Sequence, residues 1–164
     1  MKIGTYYHML MEKIDYTKNI SIEEVKSLYK TMIENNEIEN GYEKVIDINQ
    51  VYNAIKNIQL NFGVDSKYFR ELNFLLCTKH CDLIEGGIQN KIIVQGVIDL
   101  LIEVDGKYYI VDFKTNRNIT EEQLINMYKL QLKLYSKALE LERKVKISGK
   151  YLYSFYLNKL IQVL

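Results

Sequence analysis

The run Lys91 to Val104, then Asp105-Gly106, then Lys107 to Phe113 constrains this chain more than any other part of it. Both flanks are rich in Ile, Val, Leu and Tyr, and Asp-Gly between two such runs is a preferred pair for a two-residue hairpin turn. With that pair at the tip, Val104 faces Lys107 and the register follows residue by residue. Asp99 then faces Asp112, Val97 faces Lys114, Leu101 faces Ile110 and Glu103 faces Tyr108. The other face pairs Ile98 with Phe113, Leu100 with Val111 and Ile102 with Tyr109. That second face is wholly apolar, so it is expected to be the core side. A slip by one residue would bury the aspartates instead.

Directly opposed side chains in such a hairpin have Cβ atoms ~4.5–5.5 Å apart, and like charges placed so destabilise the pair. A bound divalent cation would compensate, and Mg²⁺ characteristically takes one or two carboxylates and keeps several waters. Lys114 follows Asp112 by two residues and shares its face. The set Asp99, Asp112, Phe113 and Lys114 therefore has two readings. It is a compact metal-plus-lysine site, or an exposed sheet face with a simple Lys114–Asp112 salt bridge. The hairpin geometry alone leaves both open.

Around this hairpin the order of elements is helices, three strands, a helix and a strand. Gly4 to Ile14 has helical spacing. Ser21 with Glu24 forms a capping box for a helix ending near Asn35. Glu34 to Lys44 is polar and contains Gly41, so it is expected to be a loop. Asp47 to Leu60 repeats apolar residues at helical spacing. Tyr68 to Cys77 is a candidate first strand, and Glu85-Gly86-Gly87 is a turn signal. Thr120 with Gln123 caps a long helix that runs to about Arg143. Tyr151 to Leu157 is expected to be a strand, with Lys159 to Leu164 as one more.

Composition narrows the function classes. With 22 basic and 21 acidic residues among 164, bulk positive charge cannot be the means of binding. The length suits one domain of ~100–200 residues. The excess of basic residues lies between residues 107 and 150, which fits either an anionic partner or a solvated helix face. No apolar run reaches ~18 residues, so no membrane span is expected. Met1-Lys2-Ile3-Gly4 has no signal-peptide core, which predicts a cytoplasmic protein. Two cysteines make no disulfide framework. Cys77, His80 and Cys81 fall short of the four ligands that structural zinc wants. No G-x-x-x-x-G-K-[ST] loop occurs, so the chain is not itself an ATP-driven motor.

Two further features bear on the hairpin. The long helix carries an apolar stripe at Leu124, Met127, Leu134, Ala138 and Leu141. Gln131 lies on or beside it, and Tyr128 and Tyr135 share its face. A buried amide needs polar partners, so Gln131 lies beside a polar site or at a half-buried edge. His8 in Gly4-Thr5-Tyr6-Tyr7-His8-Met9-Leu10-Met11-Glu12 is either structural or a ligand.

Four segments together resemble a known family. Val94-Gln95-Gly96-Val97-Ile98-Asp99, Val111-Asp112-Phe113-Lys114-Thr115 and Tyr128-Lys129-Leu130-Gln131-Leu132-Lys133-Leu134-Tyr135 resemble the RecB-type nuclease motif of the PD-(D/E)XK superfamily. They are most similar to the C-terminal nuclease domain of the AddA family. Gly4-Thr5, His8 and Glu12 are similar to its upstream histidine motif, and Arg70-Glu71-Leu72-Asn73-Phe74 to its first core strand. The likeness spans nearly the whole chain.

The resemblance implies a mixed α/β fold, a restriction-endonuclease-like αβββαβ core (63–164) behind an N-terminal helical segment (1–62) that carries His8, in one nuclease domain without a helicase domain. It implies a Mg²⁺- or Mn²⁺-dependent DNA exonuclease of double-strand-break repair and recombination. A helicase subunit or domain and an AddB-like partner come with that expectation. The alternatives are a non-catalytic DNA- or subunit-binding module and a free-standing nuclease of restriction or mobile-element type. Asp99, Asp112, His8 and the Phe113 carbonyl are implied as metal ligands, and Lys114 as the catalytic lysine. Gln131 and Tyr135 are implied to support the site, and Lys129, Lys133 and Tyr128 to contact DNA. Glu71 has no implied role. Ile98 stands where the superfamily has proline, Phe113 where Tyr is usual and Asn116 where relatives often have Asp. None of these removes an expected ligand.

Overall fold

The computed structural model describes residues 2–39, 41–82 and 86–164. The turn signal at Glu85 therefore lies partly outside the described residues. The element order is α1 (Lys2–Lys13), α2 (Ile22–Glu34), α3 (Ile48–Phe62), β1 (Lys67–Lys79), β2 (Lys91–Val104), β3 (Lys107–Lys114), α4 (Glu121–Arg143), β4 (Ile147–Ser154) and β5 (Lys159–Gln162), with a short 3-10 turn at His80–Asp82. The expected mixed α/β order is present. The strands form one sheet in the order β1-β2-β3-β4-β5. All neighbours are antiparallel except β3 and β4, which run parallel because α4 crosses between them.

Local chemistry sets the helix starts. Ser21 accepts from the Glu24 amide and Glu24 accepts from the Ser21 amide, a reciprocal capping box. Thr120 and Gln123 repeat it at the start of α4. Thr120→Ala is expected to cost about 1 kcal/mol, or ~2–4 °C in Tm, read by thermal denaturation. The Asp105-Gly106 turn has φ of 49° and 74°, so both central residues are in the left-handed region of a type I′ hairpin.

The sheet is covered on both faces. Leu100, Ile102, Val111, Phe113, Tyr153 and Phe155 pack with α1, α2 and α3. Ile98, Leu101, Ile110, Leu152 and Ile161 pack with Leu124, Leu132, Ala138 and Leu139 of α4. The aspartate side of the hairpin was expected to be the non-core face. It is buried as well, because α4 roofs it. Nor is the expected apolar face continuous. Ile98 packs on the α4 side while Leu100 packs on the other, so the side-chain alternation of β2 breaks at Asp99.

One strand is displaced from its expected position. β4 begins at Ile147 and stops at Ser154, rather than spanning Tyr151 to Leu157. Ser148, Gly149 and Lys150 hide its first half from an apolar pattern. Residues 155–158 turn instead, with Asn158 at φ 51° and its Oδ1 accepting from the Tyr153 hydroxyl. The expected further strand is β5. Among the described residues no helix is long and apolar enough to cross a membrane.

Candidate active site

The β2–β3 ladder follows the expected register from Val104 opposite Lys107 to Leu100 opposite Val111, then stops. Asp99 and Asp112 do not form the next rung. Asp99 Oδ2 instead accepts the Phe113 N–H at 2.7 Å, so a side chain takes over where the backbone ladder would continue. The β1–β2 ladder is interrupted at the same place. Arg70 pairs with Leu100 and Leu72 with Ile98, while Glu71 between them has φ 47°. A non-glycine residue there costs ~1–3 kcal/mol and persists only where its surroundings over-determine it. The sheet thus opens around Asp99 on both flanks.

Two groups of side chains fill that opening. In the first, ligand atoms of His8, Glu71 and Asp99 all lie within 4.8 Å of one another. His8 Nδ1 is 3.2 Å from Asp99 Oδ1. α1 brings His8 in close, because a Cβ on Gly4 would lie 3.0 Å from Thr115 Oγ1. The His8 ring also meets Phe113 edge-on at 6.1 Å. Burial opposes charge on His8, but the Asp99 hydrogen bond and the fields of Asp99 and Asp112 outweigh it and raise its pKa. Burial, then Asp99 and Glu12, push Glu71 up to about 6.

The second group centres on Asp112, which is 1% exposed. Its Oδ2 pairs with Lys114 Nζ at 2.5 Å, while its Oδ1 has no hydrogen-bond partner among the described residues. Burial and the Asp99 carboxylate raise its pKa, against the pull of Lys114. Lys114 Nζ also donates to Gln131 Oε1 at 3.0 Å and sits 3.9 Å above the Tyr128 ring. Gln131 Nε2 donates to the Tyr135 hydroxyl oxygen at 2.5 Å. Tyr135 in turn packs against Phe74, and burial raises its pKa, with Asp112 adding to the effect. The amide that needed polar partners has them on both ends.

The structure therefore brings together His8, Asp99, Asp112, Phe113, Lys114, Gln131, Tyr128 and Tyr135. Tyr128 is committed to Lys114 and, through its hydroxyl, to Asn116 Oδ1 at 2.9 Å, so it faces the lysine rather than open solvent. Lys129 and Lys133 are exposed on α4, two residues to either side of Gln131 and so about 200° around the helix from it. They are outside the opening. Glu71 is the residue that sequence reasoning left without a role. Its approach depends on a backbone conformation that no local sequence signal announces.

The donor set suits a divalent cation. Three convergent ligand atoms, two of them carboxylate oxygens and one an imidazole nitrogen, lie beside a buried carboxylate with one oxygen unpartnered among the described residues.

Comparison with known proteins gives the family. The family described as the PD-(D/E)XK nuclease superfamily matches residues 2–161. The chain is 31% identical over 166 residues to the A subunit of the ATP-dependent helicase/nuclease of Ligilactobacillus salivarius (strain UCC118), covering 98% of this chain and 13% of that protein. It is 31% identical to the protein of the same name from Staphylococcus haemolyticus (strain JCSC1435), covering 97% of this chain and 14% of that one. The Clostridium botulinum (strain Alaska E43 / Type E3) protein of that name is also 31% identical, covering 98% of this chain and 14% of that protein. The chain thus spans only about one seventh of the length of these relatives. With the match running from α1 through β5, across every residue of the opening, the chain belongs to the PD-(D/E)XK nuclease superfamily.

Proposed function

We propose that this chain is a divalent-metal-dependent deoxyribonuclease and that it serves as the nuclease module of a helicase–nuclease in double-strand-break repair. The observation that carries the reading is the buried pair Asp112–Lys114 beside the His8, Glu71 and Asp99 cluster. A carboxylate 1% exposed, with one oxygen paired to Lys114 and the other without a partner among the described residues, is costly to keep unless it serves a ligand. The likeness of the whole chain to helicase/nuclease proteins supports the setting. The motor, an AddB-like partner and the exonucleolytic mode belong to the same proposal, as does one nuclease domain with His8 in its helical N-terminal part.

In this reading His8, Glu71, Asp99 and Asp112, with the Phe113 carbonyl, hold the cation, Mg²⁺ or Mn²⁺. When bound, it would polarise the phosphate and lower the pKa of a coordinated water. Lys114 orients the attacking water and offers a fixed positive charge to the oxygens that become more negative in the transition state. Gln131 holds the ammonium from the helix side and Tyr135 holds Gln131, so Lys114 keeps its aim without reorganising. The Tyr128 ring beneath it favours the charged ammonium. The α4 roof narrows water access to this set. Lys129 and Lys133 lie outside the opening, so their contact with DNA would be to backbone phosphates away from the scissile bond, weakened by salt.

Labelled linear single-stranded DNA should be degraded by the purified chain in Mg²⁺ or Mn²⁺ and left intact in EDTA. DNA that stays intact in both metals sinks the catalytic reading and leaves a binding module.

A further inference from the structure

The catalytic opening accounts for one side of α4's inner face. The expected stripe of α4 divides, since Leu124 and Ala138 are buried while Leu141 is exposed, and along the neighbouring edge Met127 and Leu134 join Leu130 in an apolar stripe at helical spacing. Met127 is 58% exposed and Leu130 40% exposed, unlike the core residues one step around the helix. This edge faces the part of the β1–β2 ribbon that runs on beyond the last β3 rung. Between them lies a groove of about 390 Å³, floored by Phe74, Val94 and Gly96. That is within the ~300–1,000 Å³ of sites for small organic groups.

Three properties of the groove indicate what it takes. It is continuous with the opening, because Gln131 and Tyr135 line it and also hold Lys114. No charged side chain lines it, so it has nothing for a phosphate. It offers apolar surface with an aromatic floor and amides at the margin. The Phe74 ring lies over Gly96, where a Cβ would come within 2.8 Å of it, and meets Tyr135 at 5.4 Å. A flat, heteroaromatic group with hydrogen-bonding edges fits this lining, and the Gln95 and Gln131 amides can meet those edges.

We propose that the groove is a nucleobase subsite. It takes an unpaired base of the strand whose phosphate lies at Lys114, with the ring against Phe74, Met127 and Leu130. This rests on the nuclease reading and sharpens it. A base turned into the groove is not paired, so the subsite selects single strands. Contacts to the face of a base tolerate every sequence, because all bases have one.

The test compares cleavage by the 164-residue chain of two strands of equal length, an oligothymidylate and a strand of abasic spacers. The chain should cut the base-bearing strand roughly tenfold or more faster in kcat/KM, since stacking of a base is worth ~1–3 kcal/mol. In Met127→Glu and in Leu130→Ser, each checked for folding by circular dichroism, that ratio should fall towards one. Equal cutting of the two strands by the unsubstituted chain overturns the subsite while leaving the nuclease. So does a ratio that survives both substitutions, and equal cutting is also the result if protein, not a base, covers the groove. Cutting of neither strand in Mg²⁺ or Mn²⁺ overturns the nuclease reading and the subsite with it.

Discussion

Lys114→Ala should reduce DNA cleavage by at least ~10²–10³-fold, the typical effect of removing one fixed donor from a site of developing negative charge. The ammonium is aimed by three groups at once: Asp112 at 2.5 Å, Gln131 at 3.0 Å and the Tyr128 ring at 3.9 Å. A water or a bulk cation cannot reproduce that aim. The substitution also has a stability signature that separates it from a bystander lysine. Asp112 loses the one counter-charge in contact with it, with only the field of His8 left, and a buried charge stripped of its partner is strongly destabilising. A proton can relieve it. The folded pKa of Asp112 is already raised above its unfolded value of 3.8, so the folded state binds the proton more tightly and this carboxylate's contribution to stability falls as pH rises through that window. Without Lys114 the folded pKa moves higher still. In EDTA, the Tm deficit of Lys114→Ala against the parent should therefore be larger at about pH 8 than at about pH 5. Lys114→Met keeps the stem against Tyr128 and should show the same loss of cleavage. Full cleavage by either variant sinks the role of Lys114.

Much of the fold was legible because its signals are local. The two capping boxes, the Asp-Gly turn and the spacing of apolar residues each act within a few residues of where they are written. What escaped is set by partners far along the chain. The aspartate face of the hairpin reads as a solvent face in a two-strand view, since it alternates with a wholly apolar one. It is buried only because α4, which starts at Thr120, returns to cover it. β4 was misplaced for a related reason. Gly149 and Lys150 join a strand because β3 offers a parallel edge at Tyr109 and Ile110, with Ser148 at the register shift after Ile147, and not because their own side chains favour one.

The site divides in the same way. Asp112 and Lys114 share a strand face by simple alternation, and the hairpin register brings Asp99 near them. The details that make the opening chemically useful are departures from regular structure. The ladder breaks at Asp99, the alternation of β2 reverses between Ile98 and Leu100, and Glu71 adopts a left-handed backbone. A regular-strand extrapolation puts Asp99 opposite Asp112 and aims Glu71 by alternation alone. The break lets Asp99 turn to His8 and brings Glu71 into reach of both. Helix periodicity correctly grouped Tyr128, Gln131 and Tyr135. Applied to Lys129 and Lys133, the same periodicity puts them on the far side of α4, which their nearness in sequence to Gln131 conceals.

Asp99→Asn should leave the chain folded and remove both cleavage and the stabilisation that a divalent cation confers. The amide oxygen that replaces one carboxylate oxygen can still accept the Phe113 N–H, so the junction of β2 and β3 keeps its hydrogen bond. What is lost is the negative charge shared among His8, Glu71 and the cation. In the unsubstituted chain, Mn²⁺ or Mg²⁺ at about a hundred times its Kd should stabilise the fold by ~2.7 kcal/mol, or roughly 5–10 °C in Tm. That rise should itself depend on pH. Cation ligands must be deprotonated, and burial with neighbouring carboxylates holds Glu71 near a pKa of about 6. Below that pH the cation must displace a proton from Glu71, and above it that ligand is already charged. The metal-induced rise in Tm should therefore be small at about pH 5 and grow as pH passes through the range of Glu71. Glu71→Gln should weaken that dependence without removing it, since the raised pKa values of His8 and Asp112 contribute as well, and Asp99→Asn should abolish the rise at every pH. Differential scanning calorimetry in Mn²⁺ and in EDTA measures all three. An undiminished metal shift in Asp99→Asn would show that the cation binds elsewhere, and the carboxylates at the break in the sheet would then need another reason for being there.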